Sequence, residues 1–112
     1  MRQITLKDFA EVQLIAGTVV SVKDLPEIRK PSYRIEVDFG PEVGIKKTSS
    51  QVKDLYSKID LMGRQVIGLV NIPTKQVGPM MSEFLLVGFY RDDGTVVLAV
   101  PERPVADGSK LA

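Results

Sequence analysis

The chain has 112 residues, 15 Lys and Arg against 14 Asp and Glu, a net charge of +1, and neither cysteine nor histidine. A single domain spanning residues 1–112 can bury a core at this length without disulfide or metal staples. The near-neutral balance leaves no global field to draw the chain onto polyanions, and the missing thiols and imidazoles remove disulfides, thiolate nucleophiles, imidazole bases and the common zinc ligands together.

At the N-terminus, "MRQITLKDFAEV" has no long apolar run and no small-residue cleavage site, which points to the cytoplasm and against membrane insertion. Within it "TLKDFA" predicts a short helix, with Thr5 as N-cap, Asp8 three positions later, and Leu6, Phe9 and Ala10 on one face. The β-branched run "VQLIAGTVVSVK" predicts a long first strand over 12–23, with Leu14, Ala16, Thr18, Val20 and Val22 sharing one parity and Gly17 as a bulge or bend. After a connection bracketed by Pro26 and Pro31, "YRIEVDFG" alternates cleanly, sending Tyr33, Ile35, Val37 and Phe39 inward and Arg34, Glu36 and Asp38 outward. A third strand lies around "VGIKKTS". The stretch "SQVKDLYSKID" then places Val52, Leu55, Tyr56 and Ile59 at helical spacing behind a serine cap. Gly63 ends that helix, "QVIGLVNI" is a fourth strand, and "FLLVGFYR" and "TVVLAVP" are a fifth and sixth joined by a hairpin at Asp93-Gly94. The tail "PERPVADGSKLA" is rich in turn formers but carries Val105 and Leu111, so it packs against something, a second copy of the chain being one candidate.

Three strands, a helix, then two or three strands is the order of an all-β OB-fold, a Greek-key barrel of five to six strands with a short N-terminal helix and one helix after strand 3. A β-sandwich with one helix is the rival, because counting strands does not show closure.

Catalysis finds little to work with. Asp92 and Asp93 beside Gly94 are the residues of a tight turn before they are an acid pair, and Ser49 and Ser50 near Lys46 fit a helix cap better than a Ser-Lys dyad. No phosphate-binding loop or dinucleotide fingerprint occurs. The chain is read as no enzyme, with no cofactor and no metal.

Binding fits better, since OB barrels use the face of strands 2 and 3 and the adjoining loops for ligands. Arg29, Lys30 and Arg34 near strand 2, Lys46 and Lys47 on strand 3, and Lys75 are the basic residues in the right places for RNA or an acidic ligand. The parity of Tyr33 and Phe39 makes them core rather than a stacking platform for bases. In "NIPTKQVGPMMSEFLLVG", Met80 and Met81 fall in what reads as a loop that Gly78 and Pro79 keep out of regular structure. They either plug the barrel end or present soft apolar surface to a peptide, with Ser82 and Glu83 as polar rim.

Four segments, "GTVVSV", "RIEVDFG", "GIKKTSSQV" and "VNIPTKQVGPMMSEFLLVG", together resemble the tRNA-binding OB domain family, and within it the CsaA-like secretion chaperones. The resemblance covers roughly Phe9 to Lys110. It implies a homodimer that binds unfolded or precursor polypeptides and is linked to SecA, with tRNA as the ligand of the wider family. It also implies roles by position. Ser82 and Leu85 stand at the family's Ser-x-x-Met step, with leucine for the methionine; Asn71 matches the asparagine ending the preceding strand; Ser49, Ser50 and Gln51 match the segment opening the helix. Gln76 and Met81 occupy positions where an RNA binder would carry more positive charge, which shifts this surface from phosphate towards peptide. The expected function is therefore an export chaperone with a peptide groove at Met80, Met81, Ser82, Glu83, Leu85 and Asn71, the alternative being a structure-specific tRNA-binding module.

Overall fold

In the computed structural model, which describes residues 1–112, the order is α1 (Leu6–Glu11), β1 (Leu14–Asp24), β2 (Tyr33–Asp38), β3 (Ile45–Ser50), α2 (Lys58–Leu61), β4 (Gln65–Leu69), β5 (Lys75–Val77), β6 (Met80–Ser82), β7 (Leu85–Leu86), β8 (Gly88–Tyr90) and β9 (Val96–Leu98). Antiparallel pairing gives one five-stranded sheet, β3-β2-β1-β4-β7, and two hairpins, β5-β6 and β8-β9. The large sheet curls into the nearly closed barrel of an OB fold.

Its core is set mainly by β2. Tyr33, Ile35, Val37 and Phe39 are all buried, as their alternation predicts, and join Ile15, Val19, Leu61, Val66 and Phe84 in one cluster. Phe39 and Phe84 meet edge to face, with centroids 4.9 Å apart. Gly17 and Gly68 are required here: a Cβ on Gly68 would stand 2.6 Å from Phe39 and 3.0 Å from Phe84, and one on Gly17 would stand 2.5 Å from Val37.

Strand β1 departs from its expected parity. Ile15 and Val19 face the core while Val20 is exposed, and the register with β2 slips between Val19 and Ser21. The bulge thus sits at Val20 rather than Gly17, and by consuming one residue it turns Val22 back towards the core. Gly17 serves close approach to Val37 and Phe39 instead.

The helix expected after strand 3 is also corrected. Residues 53–55 form a turn, only Lys58–Leu61 is helical, and the cap is Ser57, whose hydroxyl accepts from the Asp60 N–H while Asp60 answers from the other side. Leu55 and Ile59, spaced as a helical face, are exposed; the buried plug is Leu61. The N-terminal helix does form behind its Thr5–Asp8 capping box, though Leu6 stays exposed. The run 84–91 is divided at Val87 between two pairings: β7 with β4, β8 with β9. The tail covers the part of β1 that β2 leaves free, through Gly108 to Ala16, Ala16 to Ser109 and Leu111 to Leu14, each N–H to O at 2.8–2.9 Å.

Closure of the barrel rests on side chains. Between β3 and residues 82–84 there is one backbone bond, Glu83 N–H to the Lys47 carbonyl at 2.8 Å. The Glu83 carboxylate accepts from the Lys47 N–H at 3.0 Å, the Ser82 hydroxyl from the Ser49 N–H at 3.1 Å, and Thr48 Oγ1 donates to the Phe84 carbonyl at 2.8 Å.

Two substitutions test this packing by urea titration. Gly68→Ala should lower the unfolding free energy by about 1–3 kcal/mol, because two rings must move for one methyl group. Thr48→Val, which strands a buried carbonyl at the seam, should cost about 1–3 kcal/mol.

Candidate binding groove

Where β3 and the 84–90 segment separate beyond the seam, a cleft of about 520 Å³ opens. One wall is Ser49, Ser50, Gln51 and Val52; the other is Leu85 to Tyr90, with Val96 from β9 and Lys75 from β5 completing it. Leu85 is 54% exposed, Phe89 67% and Tyr90 85%. Lys75 is the one charged side chain in the lining, and it has no carboxylate within ion-pairing distance.

The residues singled out from the sequence are distributed unevenly around this cleft. Ser49, Ser50, Gln51, Lys75 and Leu85 are brought together in its lining. Met80 and Met81 are not in a loop: they form β6, paired with β5 across the Gly78-Pro79 turn, because that dipeptide reverses the chain rather than keeping it irregular. Met80 is 8% exposed and packs inward, whereas Met81 is 42% exposed on the outer side of the hairpin. Ser82 and Glu83 spend their polar atoms on the barrel seam. Asn71 clamps the end of α1, accepting from the Gln13 N–H at 2.9 Å and donating to the Glu11 carbonyl at 2.6 Å. Lys46 and Lys47, as neighbours on β3, point to opposite sheet faces. Arg34 lies 3.7 Å from Glu36 on the same strand.

Phe89 and Tyr90 were not singled out from the sequence. Their signal is a pair of adjacent aromatics, "GFY", just before a hairpin turn, where core packing takes at most one of two successive side chains. That turn is as expected: Gly94 has φ +86° and Asp93 accepts from the Thr95 N–H and hydroxyl, which lowers its carboxyl pKa.

Comparison with known proteins follows the same outline. A family model described as a putative tRNA binding domain matches residues 14–110. The chain belongs to this tRNA-binding domain family. Within the family it is CsaA-like: it is 36% identical to the crystal structure of the chaperone CsaA from Bacillus anthracis, with TM-score 0.92, covering 99% of this chain and 100% of that one. The CsaA chaperone protein from Picrophilus torridus is 34% identical, with TM-score 0.90 and coverage of 98% and 100%. Methionine–tRNA ligase of Methanocaldococcus jannaschii is 29% identical over 111 residues; the match takes in 99% of this chain but 17% of that enzyme, so the chain spans a small part of the length of this curated relative.

In this CsaA-like chain the wall at Ser49–Val52 is continued by a tethered turn. Lys53 and Lys58 both donate to Asp24 on β1, each at 2.8 Å, and the Lys53 ammonium also stands 5.0 Å from the Tyr33 ring centroid. The two hydrogen bonds, first from Lys53 and then from Lys58, hold the Asp24 carboxyl down at about 2 from 3.8. A carboxyl depressed in the fold contributes stability above its unfolded pKa and loses it as pH falls through the folded one. The stability gap between the parent and Asp24→Asn should therefore be present at neutral pH and close as pH falls from about 3.8 to about 2. Thermal melts of both proteins across that window check it.

Proposed function

We propose that this chain is an export-related chaperone without catalytic activity, holding unfolded or precursor polypeptides in the cleft between residues 49–52 and 85–90. It would act in the cytoplasm as a homodimer, with SecA as the downstream partner, and need neither cofactor nor nucleotide. The observation that carries this reading is the cleft's lining: Leu85, Phe89 and Tyr90 are exposed around a single charge, Lys75. Such a surface gains from burying apolar side chains and has few cations for a phosphate backbone. The likeness to two proteins named as CsaA chaperones supports the same reading. The mechanism is passive, because binding the unfolded chain shifts its collapse by mass action.

A second reading, a tRNA-binding module, is favoured by one observation. Two exposed aromatics stand beside an unpaired lysine, an arrangement on which bases stack.

A paired titration separates the two, using a labelled unfolded precursor and a labelled tRNA, each at low and near-physiological salt. The expected result is precursor binding that survives salt, with tRNA binding absent or lost. Precursor binding absent, with tRNA affinity falling by a log–log slope of about 0.7 per phosphate contact, assigns the cleft to RNA. Leu85→Glu and Phe89→Glu should each weaken precursor binding about tenfold or more without lowering the melting temperature, since both side chains are exposed. Met80→Glu is no such probe, because it buries a charge and unfolds the hairpin.

A further inference from the structure

The segment 84–90 has two edges, and they are treated differently. Val87 donates to the Ile67 carbonyl of β4 at 3.0 Å, its own carbonyl accepts from Ala99 at 3.1 Å, and Arg91 donates to Thr95 at 2.8 Å. Odd-numbered residues thus turn their backbone groups towards β4 and then β9, and alternation turns the even-numbered ones the other way. At Phe84 that other side is β3, where Thr48 takes the carbonyl. At Gly88 and Tyr90, which have the same parity, β3 has moved away. The register with β9, flanked by the bonds at Val87 and Arg91, turns their N–H and C=O groups away from that strand, and both residues line the cleft.

We infer that the cleft takes its client as an added β-strand, an extended polypeptide segment pairing with the open edge of Gly88 and Tyr90. The inference rests on the polypeptide-holding reading above and names how that site would bind. Gly88 and Tyr90 present donor and acceptor together, twice, about 7 Å apart, which is the repeat of alternate residues in an extended chain. A nucleobase or a phosphate offers no such repeat. Open edges are ordinarily blunted with charge or proline, and "GFY" carries neither. The edge also continues the barrel seam, so an incoming strand would extend the pairing that β3 abandons after Phe84. Backbone pairing recognises chains without regard to sequence, while Leu85 and Phe89 supply apolar contact for alternate client side chains.

The test uses the unaltered protein with two probes: reduced, carboxymethylated α-lactalbumin as an unfolded protein, and a fluorescein-labelled nonapeptide of alternating leucine and serine with both ends blocked. The peptide is also made with N-methyl groups on its leucines or on its serines. Leucine and serine fix which parity faces the cleft. The expected result is that one N-methylated set binds about tenfold or more weakly, and the other within about twofold of the parent. Equal affinity for both sets, with α-lactalbumin still bound, overturns strand addition while leaving the chaperone reading intact. Failure of both probes to bind overturns that reading and this inference with it. Tyr90→Pro removes an outward N–H without costing a bond to β9, and should weaken the parent peptide similarly. If that variant instead dissociates a dimer in light scattering and leaves peptide affinity unchanged, the edge belongs to a second copy and the inference fails; if it does not fold, the N-methyl series decides alone.

Discussion

The barrel of this chain is held shut by three side chains and one backbone bond. Between β3 and residues 82–84 a regular ladder would need the two strands to run together for several residues, yet they stay close only from Lys47 to Ser49. Glu83 and Ser82 stand in for the missing backbone acceptors, and Thr48 reaches into the core to satisfy Phe84. A buried polar group left unpaired costs more than a typical hydrogen bond contributes, so these three residues fix where the seam closes. They also fix where it opens.

Everything proposed about binding is a consequence of that opening. Past Ser49, β3 leads into the turn tethered by Lys53 and Lys58 to Asp24, while 84–90 swings from β4 to β9. The divergence exposes apolar side chains that a continuous barrel would bury, and leaves backbone groups without partners. The β5-β6 hairpin lies against β3 with Met80 tucked beneath it and brings Lys75 to the rim.

Charge and apolar surface divide the two ligand classes. With the whole chain near neutrality, RNA affinity would depend on local lysines, and β3 sends its two to opposite faces. Only Lys75 reaches the cleft. The tRNA-binding domain family is a scaffold whose barrel is compatible with either ligand, so the site, and not the fold, carries the functional proposal.

What the sequence by itself determined is the part governed by short-range periodicity. The alternation of Tyr33, Ile35, Val37 and Phe39 set the core face of β2, Thr5 with Asp8 announced α1, Asp93-Gly94 marked the last hairpin, and the strand order pointed to an OB barrel. Tertiary structure decided the rest. The bulge at Val20 reversed the face of β1, because a register slip with β2 leaves no trace in the pattern of one strand. The spacing of Val52, Leu55, Tyr56 and Ile59 suggested a helix, but residues 53–55 form a turn and a single helical turn capped by Ser57 buries Leu61 instead. Ser82 and Glu83 read as a polar rim until the seam claimed them, and the aromatics of "GFY" say nothing of the backbone edge at Gly88 and Tyr90. The proposed strand addition draws on their outward backbone groups, a donor and an acceptor that every residue but proline carries together and that only the arrangement of distant strands leaves facing a cleft.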